Sequence, residues 1–192
     1  MKRFKASAFA GIGFAACAAA TSLFAIAPAF AAHDPMVGGA AMYPSKNIIE
    51  NAVHSKDHTT LVAAVKAAGL VSTLEGPGPF TVFAPTNEAF AKLPAGTVAT
   101  LLKPENKAQL TSILTYHVVA GKYSTEALMR DVKMGHGSAT LKTVEGAPLT
   151  FRESHHRLEV IDAKGNKAWI TVANVNQSNG VIQVINKVLM PN

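Results

Sequence analysis

Histidine, methionine and cysteine are the residues of this chain that could hold a metal or act as a nucleophile, and their spacing limits the chemistry open to it. His155 and His156 form the one adjacent histidine pair. On a strand, neighbouring side chains point to opposite faces and would not share an ion. In a loop, with Glu153 or His136 nearby, they could converge. His33, Met36 and Met42 combine imidazole with thioether, ligands that suit copper, although a leader could carry such loosely spaced residues without a ligand. Neither His-Glu-x-x-His nor Cys-x-x-Cys occurs, no Gly-x-Ser-x-Gly elbow presents a serine, and no Gly-rich phosphate loop follows a strand. The pattern points away from nucleophilic hydrolysis, zinc proteolysis and nucleotide binding. No cofactor and no metal is expected, and the chain is read as a non-enzyme.

The first residues set an address. Lys2, Arg3 and Lys5 precede an uncharged stretch from Ala6 to Ala27, and Ala29-Phe30-Ala31 places small residues where signal peptidase inspects them. Residues 1–31 therefore read as a signal peptide cut after Ala31, and the protein as secreted or periplasmic. An uncleaved anchor is the alternative, since the apolar stretch approaches the roughly 20 residues of a bilayer span. Pro28 and the small-residue site favour removal and leave no stable membrane span. Cys17, the only cysteine, raises lipidation as a further possibility, but Phe14 stands where such a signal prefers Leu, and the apolar run continues past Cys17. If Cys17 leaves with the signal, an exported domain must hold itself together without disulfides. The formal charge of +6 falls to +3 once the three basic residues of the leader are removed, leaving 15 basic against 12 acidic side chains. These are interspersed, with no basic run and no aromatic-interleaved patch, so nucleic acid is set aside as a partner.

The elements that must position these residues follow from periodicity. Residues 33–46 lack periodic apolar positions and read as an extended lead-in, with order beginning at Asn47. A short amphipathic piece from Asn47 to His54 precedes a helix from about Thr59 to Ala68, with Asp57 as a cap candidate and Gly69 as its stop. Glu75 to Pro79 is a turn, Phe80 to Ala84 a strand ended by Pro85, and Thr86 the cap of a helix carrying Asn87, Glu88, Ala89 and Phe90. Val98 to Leu102 and Glu105 to Val118 are predicted as further helices. In the latter, Leu110, Ile113, Leu114, His117 and Val118 share one face, which turns His117 inward. Beyond Gly121 the texture is β: Ser138 to Val144, Leu149 to Arg152, Arg157 to Ile161, Ala168 to Ala173 and Val181 to Ile185, with turns at Asp162 to Asn166 and Asn176 to Gly180. A helical first half and a β second half predict one α+β domain.

Three boxes, in order, resemble the fasciclin (FAS1, β-Ig-h3) family. They are Phe80-Thr81-Val82-Phe83-Ala84-Pro85-Thr86-Asn87-Glu88-Ala89-Phe90, then Tyr116-His117 with Val118-Val119-Ala120-Gly121, then Asn179 to Pro191. The resemblance spans residues 47–191. It implies a β-wedge or sandwich of about seven strands packed against several helices. It also implies a role in adhesion or protein association, with a protein, a surface glycan or a second copy as partner. A carrier of a small apolar ligand is the alternative. Phe83, Pro85, Thr86, Asn87, Phe90 and Asn186 match structural positions of the family. Tyr116 and His117 match its Tyr-His motif, credited with adhesion in animal members, and Asn174-Val175 stands where many members carry Asp followed by Ile or Val. These four are the candidate interaction residues. Asn186 likewise replaces the usual Asp, and the missing carboxylates weaken an integrin analogy, because integrins use metal-bound carboxylates.

Overall fold

The structure is a computed structural model that describes residues 34–192. The expected signal peptide, Cys17 and His33 lie outside the described residues.

A two-residue hairpin, β1 (Met36–Val37) and β2 (Ala40–Ala41), leads into α1 (Ile48–Ala52), α2 (Thr59–Ala68) and α3 (Val71–Glu75). Strand β3 (Phe80–Pro85) is followed by α4 (Asn87–Ala91), α5 (Thr97–Leu101), α6 (Lys107–Tyr116), β4 (Val118–Ala120) and α7 (Thr125–Met134). Strands β5 (Ala139–Lys142), β6 (Pro148–Ser154), β7 (Arg157–Ile161), β8 (Lys167–Gln177) and β9 (Gly180–Ile185) complete the chain. Seven strands form one mixed sheet in the order β4-β3-β9-β8-β7-β6-β5. Its single parallel pair is β3 with β9, where Phe83 lies opposite Gln183. A bridge between Val119 and Thr143 joins the two ends, so the sheet curls almost into a barrel. The expected α+β class, with seven strands against several helices, is what the chain forms.

Two apolar clusters divide the core. One joins α1, α2, α4 and α6 to the outer side of β3 and β9 through residues such as Ile49, Leu61, Val82 and Ile182. The other fills the curled sheet with Phe83, Tyr116, Phe151, Val160 and Ile185, and α7 closes it with Leu128 and Val132. The alternation of β3 explains the division: Val82 and Ala84 face the helices, whereas Phe83 faces inward, its ring centroid 5.4 Å from that of Phe151.

Four expectations need correction. Order does not begin at Asn47, because Gly38 and Gly39, at φ 58° and 76°, turn a hairpin that buries Val37 and Met42 in the helical cluster. Two apolar residues across a glycine turn are too few to show a period. The helix predicted to reach Val118 ends at Tyr116; His117 caps it, and Val118–Ala120 pairs with β3, Val119 opposite Thr81. An apolar helix end and a buried β-branched strand share one hydrophobic run, which periodicity alone does not divide. Helix α7 interrupts the segment read as purely β: Ser124 accepts the N–H of Ala127, and its buried stripe is narrow, Leu128 and Val132. Finally, Asp57 does not cap α2. It lies in a 3₁₀ turn, and His58 occupies the cap position without a side-chain bond.

Candidate functional site

Tyr116 and His117 sit at the end of α6, where the helix meets both core clusters. Tyr116 has 0% exposure. Its hydroxyl donates to the Pro148 carbonyl at 2.8 Å and accepts the Ala163 N–H at 2.8 Å, which joins the helix to the start of β6 and the turn after β7. Burial raises its pKa above the ordinary phenol value. His117 is 2% exposed. Nδ1 lies 2.8 Å from the Ile113 carbonyl, and Nε2 accepts the Leu189 N–H at 3.0 Å. An acceptor at Nε2 requires the proton on Nδ1, so the two bonds together define the neutral tautomer. Desolvation lowers the pKa to about 4, against opposition from the Ile113 carbonyl and the Asp162 carboxylate. Neither side chain offers surface to a partner in this conformation.

Asp162, which sequence reasoning marked only as a turn residue, connects the same region. Its Oδ1 accepts the N–H groups of Lys164 and Asn166 at 3.0 and 2.8 Å, and Oδ2 accepts Asn166 Nδ2 at 2.9 Å and Met190 N–H at 3.0 Å. One carboxylate thus closes the β7–β8 turn and fastens the C-terminal segment.

Asn174 and Val175 lie on β8 at a register shift against β9. Val175 is buried at 0% exposure, and Asn174 is partly exposed. Asn174 adopts φ 56°, a conformation that Asn tolerates better than most residues. Its N–H reaches Gln183 Oε1 at 2.9 Å, and its Oδ1 accepts the Thr125 N–H at 2.8 Å and Gln183 Nε2 at 3.1 Å. Its Nδ2 lies 3.0 Å from both carboxylate oxygens of Glu126. The amide thus uses acceptor and donor ends at once, which a carboxylate cannot do. The Glu126 carboxyl is held below its usual range by its own backbone N–H first, then by Ser124, with Asn174 adding to both.

The remaining motif residues are structural in their contacts. Thr86 Oγ1 accepts the Ala89 N–H at 3.3 Å. Asn87 reaches back to α2, taking the Thr60 N–H at 3.0 Å and donating to the Lys56 carbonyl at 2.8 Å. It supplies the cap that Asp57 does not. Phe83 and Phe90 are buried, and Pro85 ends the register of β3 on Ile185. Asn186 Oδ1 accepts the Trp169 N–H at 2.8 Å, a bond that Asp could make equally.

The metal candidates do not assemble. His155 and His156, at φ 50° and 59°, form the exposed turn between β6 and β7. His155 Nδ1 faces Ser154 Oγ at 3.0 Å, and His156 Nδ1 lies 3.9 Å from Glu153. Met36 is exposed and Met42 buried, so the two thioethers do not face one site. Among the described residues, no group of three or more His, Cys, Asp or Glu side chains converges as a metal site.

A cavity of about 70 Å³ lies between the N-terminal hairpin, α1 to α3 and β3. His58, 3% exposed, lines it. Its Nδ1 meets Ser55 Oγ at 2.9 Å, while Nε2 has no hydrogen-bond partner among the described residues. Desolvation lowers its pKa, opposed by a backbone contact with Ala84 that is too poorly aligned to be a full hydrogen bond to Nε2, and by the Asp57 carboxylate. No sequence signal distinguished this histidine.

Fold, boxes and buried clamps together define a fasciclin domain. The family model described as Fasciclin domain matches residues 56–191, and the chain belongs to that family. It is 47% identical over 156 residues to Protein sll1483 of Synechocystis sp., covering 81% of this chain and 79% of the relative. It is 36% identical to the Immunogenic protein MPB70 of Mycobacterium bovis, over 97% of this chain and 95% of the relative. The same identity relates it to the Cell surface glycolipoprotein MPB83 of that species, over 83% of this chain and 62% of the relative. Among solved structures, a FAS1 domain pair from the insect cell adhesion molecule Fasciclin I shares the fold, with a TM-score of 0.66 and 20% identity. The match covers 76% of this chain and about half, 51%, of that one.

Proposed function

We propose that this protein is an exported, non-catalytic interaction module that binds a protein or surface glycan through the corner formed by its N-terminal hairpin and α1. The observation that carries the reading is the placement of exposed apolar side chains. Met36, Tyr43 and Val53, exposed at 59%, 44% and 44%, come from the hairpin, the loop after it and the end of α1. The corner is one unit, since Asn51 of α1 accepts the Tyr43 N–H at 3.1 Å and the Gly38 carbonyl accepts the Lys56 N–H at 3.1 Å. Apolar side chains grouped on a surface mark association sites more often than scattered ones do. The surface location of MPB83 and the adhesive character of Fasciclin I support an extracytoplasmic role. Among the described residues, no helix is long and apolar enough to cross a membrane.

The test is a pulldown from the producing organism's envelope with residues 32–192 as bait, beside a variant carrying Met36→Ser, Tyr43→Ser and Val53→Ser. A saturable partner captured by the parent and lost by the folded triple variant supports the reading. Equal capture by both moves the contact elsewhere, and no capture beyond background removes the proposal.

A further inference from the structure

The cavity beside His58 lies on the buried side of that corner, where Val37, Ile48 and Ile49 line it. Its wall is apolar, from Met42 and Ile49 through Leu61 and Val82 to Leu114 and Ile182. It reaches exposed Val144, which gives it a way to solvent. Set into this wall is a ring nitrogen without a partner, the only buried side-chain nitrogen or oxygen in that condition among the described residues. A buried polar group left unsatisfied costs about 1–3 kcal/mol, so a persistent one calls for an occupant.

We propose that the cavity is a binding site for a small uncharged organic molecule, with an apolar body of a few heavy atoms and one hydrogen-bond-accepting oxygen that takes the Nε2–H of His58. The tautomer follows from Ser55. Among the described residues, its hydroxyl hydrogen-bonds only to His58 Nδ1. The hydroxyl hydrogen therefore goes to Nδ1, and the ring proton sits on Nε2 as a donor. Water fits the space poorly, because an ordered water needs two to four polar partners and this wall supplies one free donor. The size sets the class. At about 70 Å³ the cavity is roughly half of the engineered 150 Å³ void that admits benzene. A three- to five-atom body fits without displacing the hairpin that covers it. The one charged residue of the wall, Lys66, is exposed and keeps its ammonium in water, so no buried charge balances an ionic ligand, which favours a ketone, ester or alcohol over a carboxylate.

The test uses the folded 32–192 chain with ¹⁵N-labelled histidine. It is titrated with butanone, with 2-methyl-1-butene as the isostere lacking oxygen, and with butyrate. Butanone is expected to saturate and to shift the His58 Nε2–H signal, which the alkene leaves in place. In His58→Phe the preference for butanone over the alkene should fall about fivefold, the worth of one hydrogen bond. Where that variant does not fold, the wild-type imidazole signal decides alone. Absence of saturable binding, an unmoved Nε2–H at saturation, or tighter binding of butyrate overturns the proposal. A resident water whose cross-peak to Nε2–H survives butanone also overturns it.

Discussion

Leu189 donates its backbone N–H to Nε2 of His117 at 3.0 Å, across 72 positions of sequence, so the protonation state of one buried ring governs how the C-terminal segment closes on α6. A proton on Nε2 would turn that acceptor into a second donor facing an N–H. His117 is held neutral, with a folded pKa of about 4 against 6.5 unfolded. Between those values the unfolded chain binds more protons, so stability rises with pH. It is fully present above pH 6.5 and is lost as pH falls toward 4, to a total of about 3 kcal/mol. Urea unfolding at pH 7.5, 5.5 and 4 should show this slope in the parent and a flatter one in His117→Gln. Parallel slopes would assign the acid sensitivity to other groups.

Tyr116→Phe keeps the ring volume and deletes the hydroxyl that joins Pro148 and Ala163. The loss leaves an unpartnered N–H and carbonyl and should cost about 1–3 kcal/mol in chemical denaturation. Adhesion measured per folded molecule should not change, since the side chain is enclosed. A stable variant that had lost adhesion would show the ring to be a contact.

Asn174→Asp should destabilise the protein by about 1–2 kcal/mol at neutral pH, because a carboxylate would replace the amide that donates to Glu126. The deficit should shrink below about pH 4, where the introduced carboxyl protonates and can again donate to Glu126. Thermal unfolding of both proteins across pH 3 to 7 reads the difference. A deficit independent of pH would indicate backbone strain at φ 56° instead.

Removing the remote cap of α2 should matter more than removing the adjacent acid. Asn87→Ala is expected to cost about 1 kcal/mol as the Thr60 N–H loses its acceptor. Asp57→Ala should stay within about 0.5 kcal/mol, as surface substitutions usually do. Denaturation midpoints of the two variants compare them directly, and the reverse order would restore Asp57 as the cap.

Much of this was legible in one dimension. Helix α2 occupies the residues its periodicity predicts, because Leu61, Val65 and Ala68 recur at helical spacing and Gly69 takes the left-handed stop at φ 75°. Strand β3 running into the Thr86 cap is equally local, and β7 spans the predicted Arg157 to Ile161. The family boxes carried the fold class, since each encodes a turn or core face that its own residues specify. The inward face of His117 also followed from spacing, although the residue ends the helix rather than continuing it.

Relationships between distant residues were decided only in three dimensions. The partner of His117 lies at Leu189 and the cap of α2 at Asn87, and no local period encodes either contact. The hairpin that buries Val37 and Met42 had too few apolar positions to declare itself, and α7 hid behind a two-residue stripe on a charged helix. The vacancy of His58 Nε2 is likewise a property of packing, because it depends on what four separate elements fail to place beside the ring. The sequence by itself determined the family and the elements whose period or caps are local, such as α2, β3 and β7, and it carries the expectation of export. Tertiary structure decided which polar atoms find partners, because hydrogen bonds and burial are made between segments that sequence order keeps far apart.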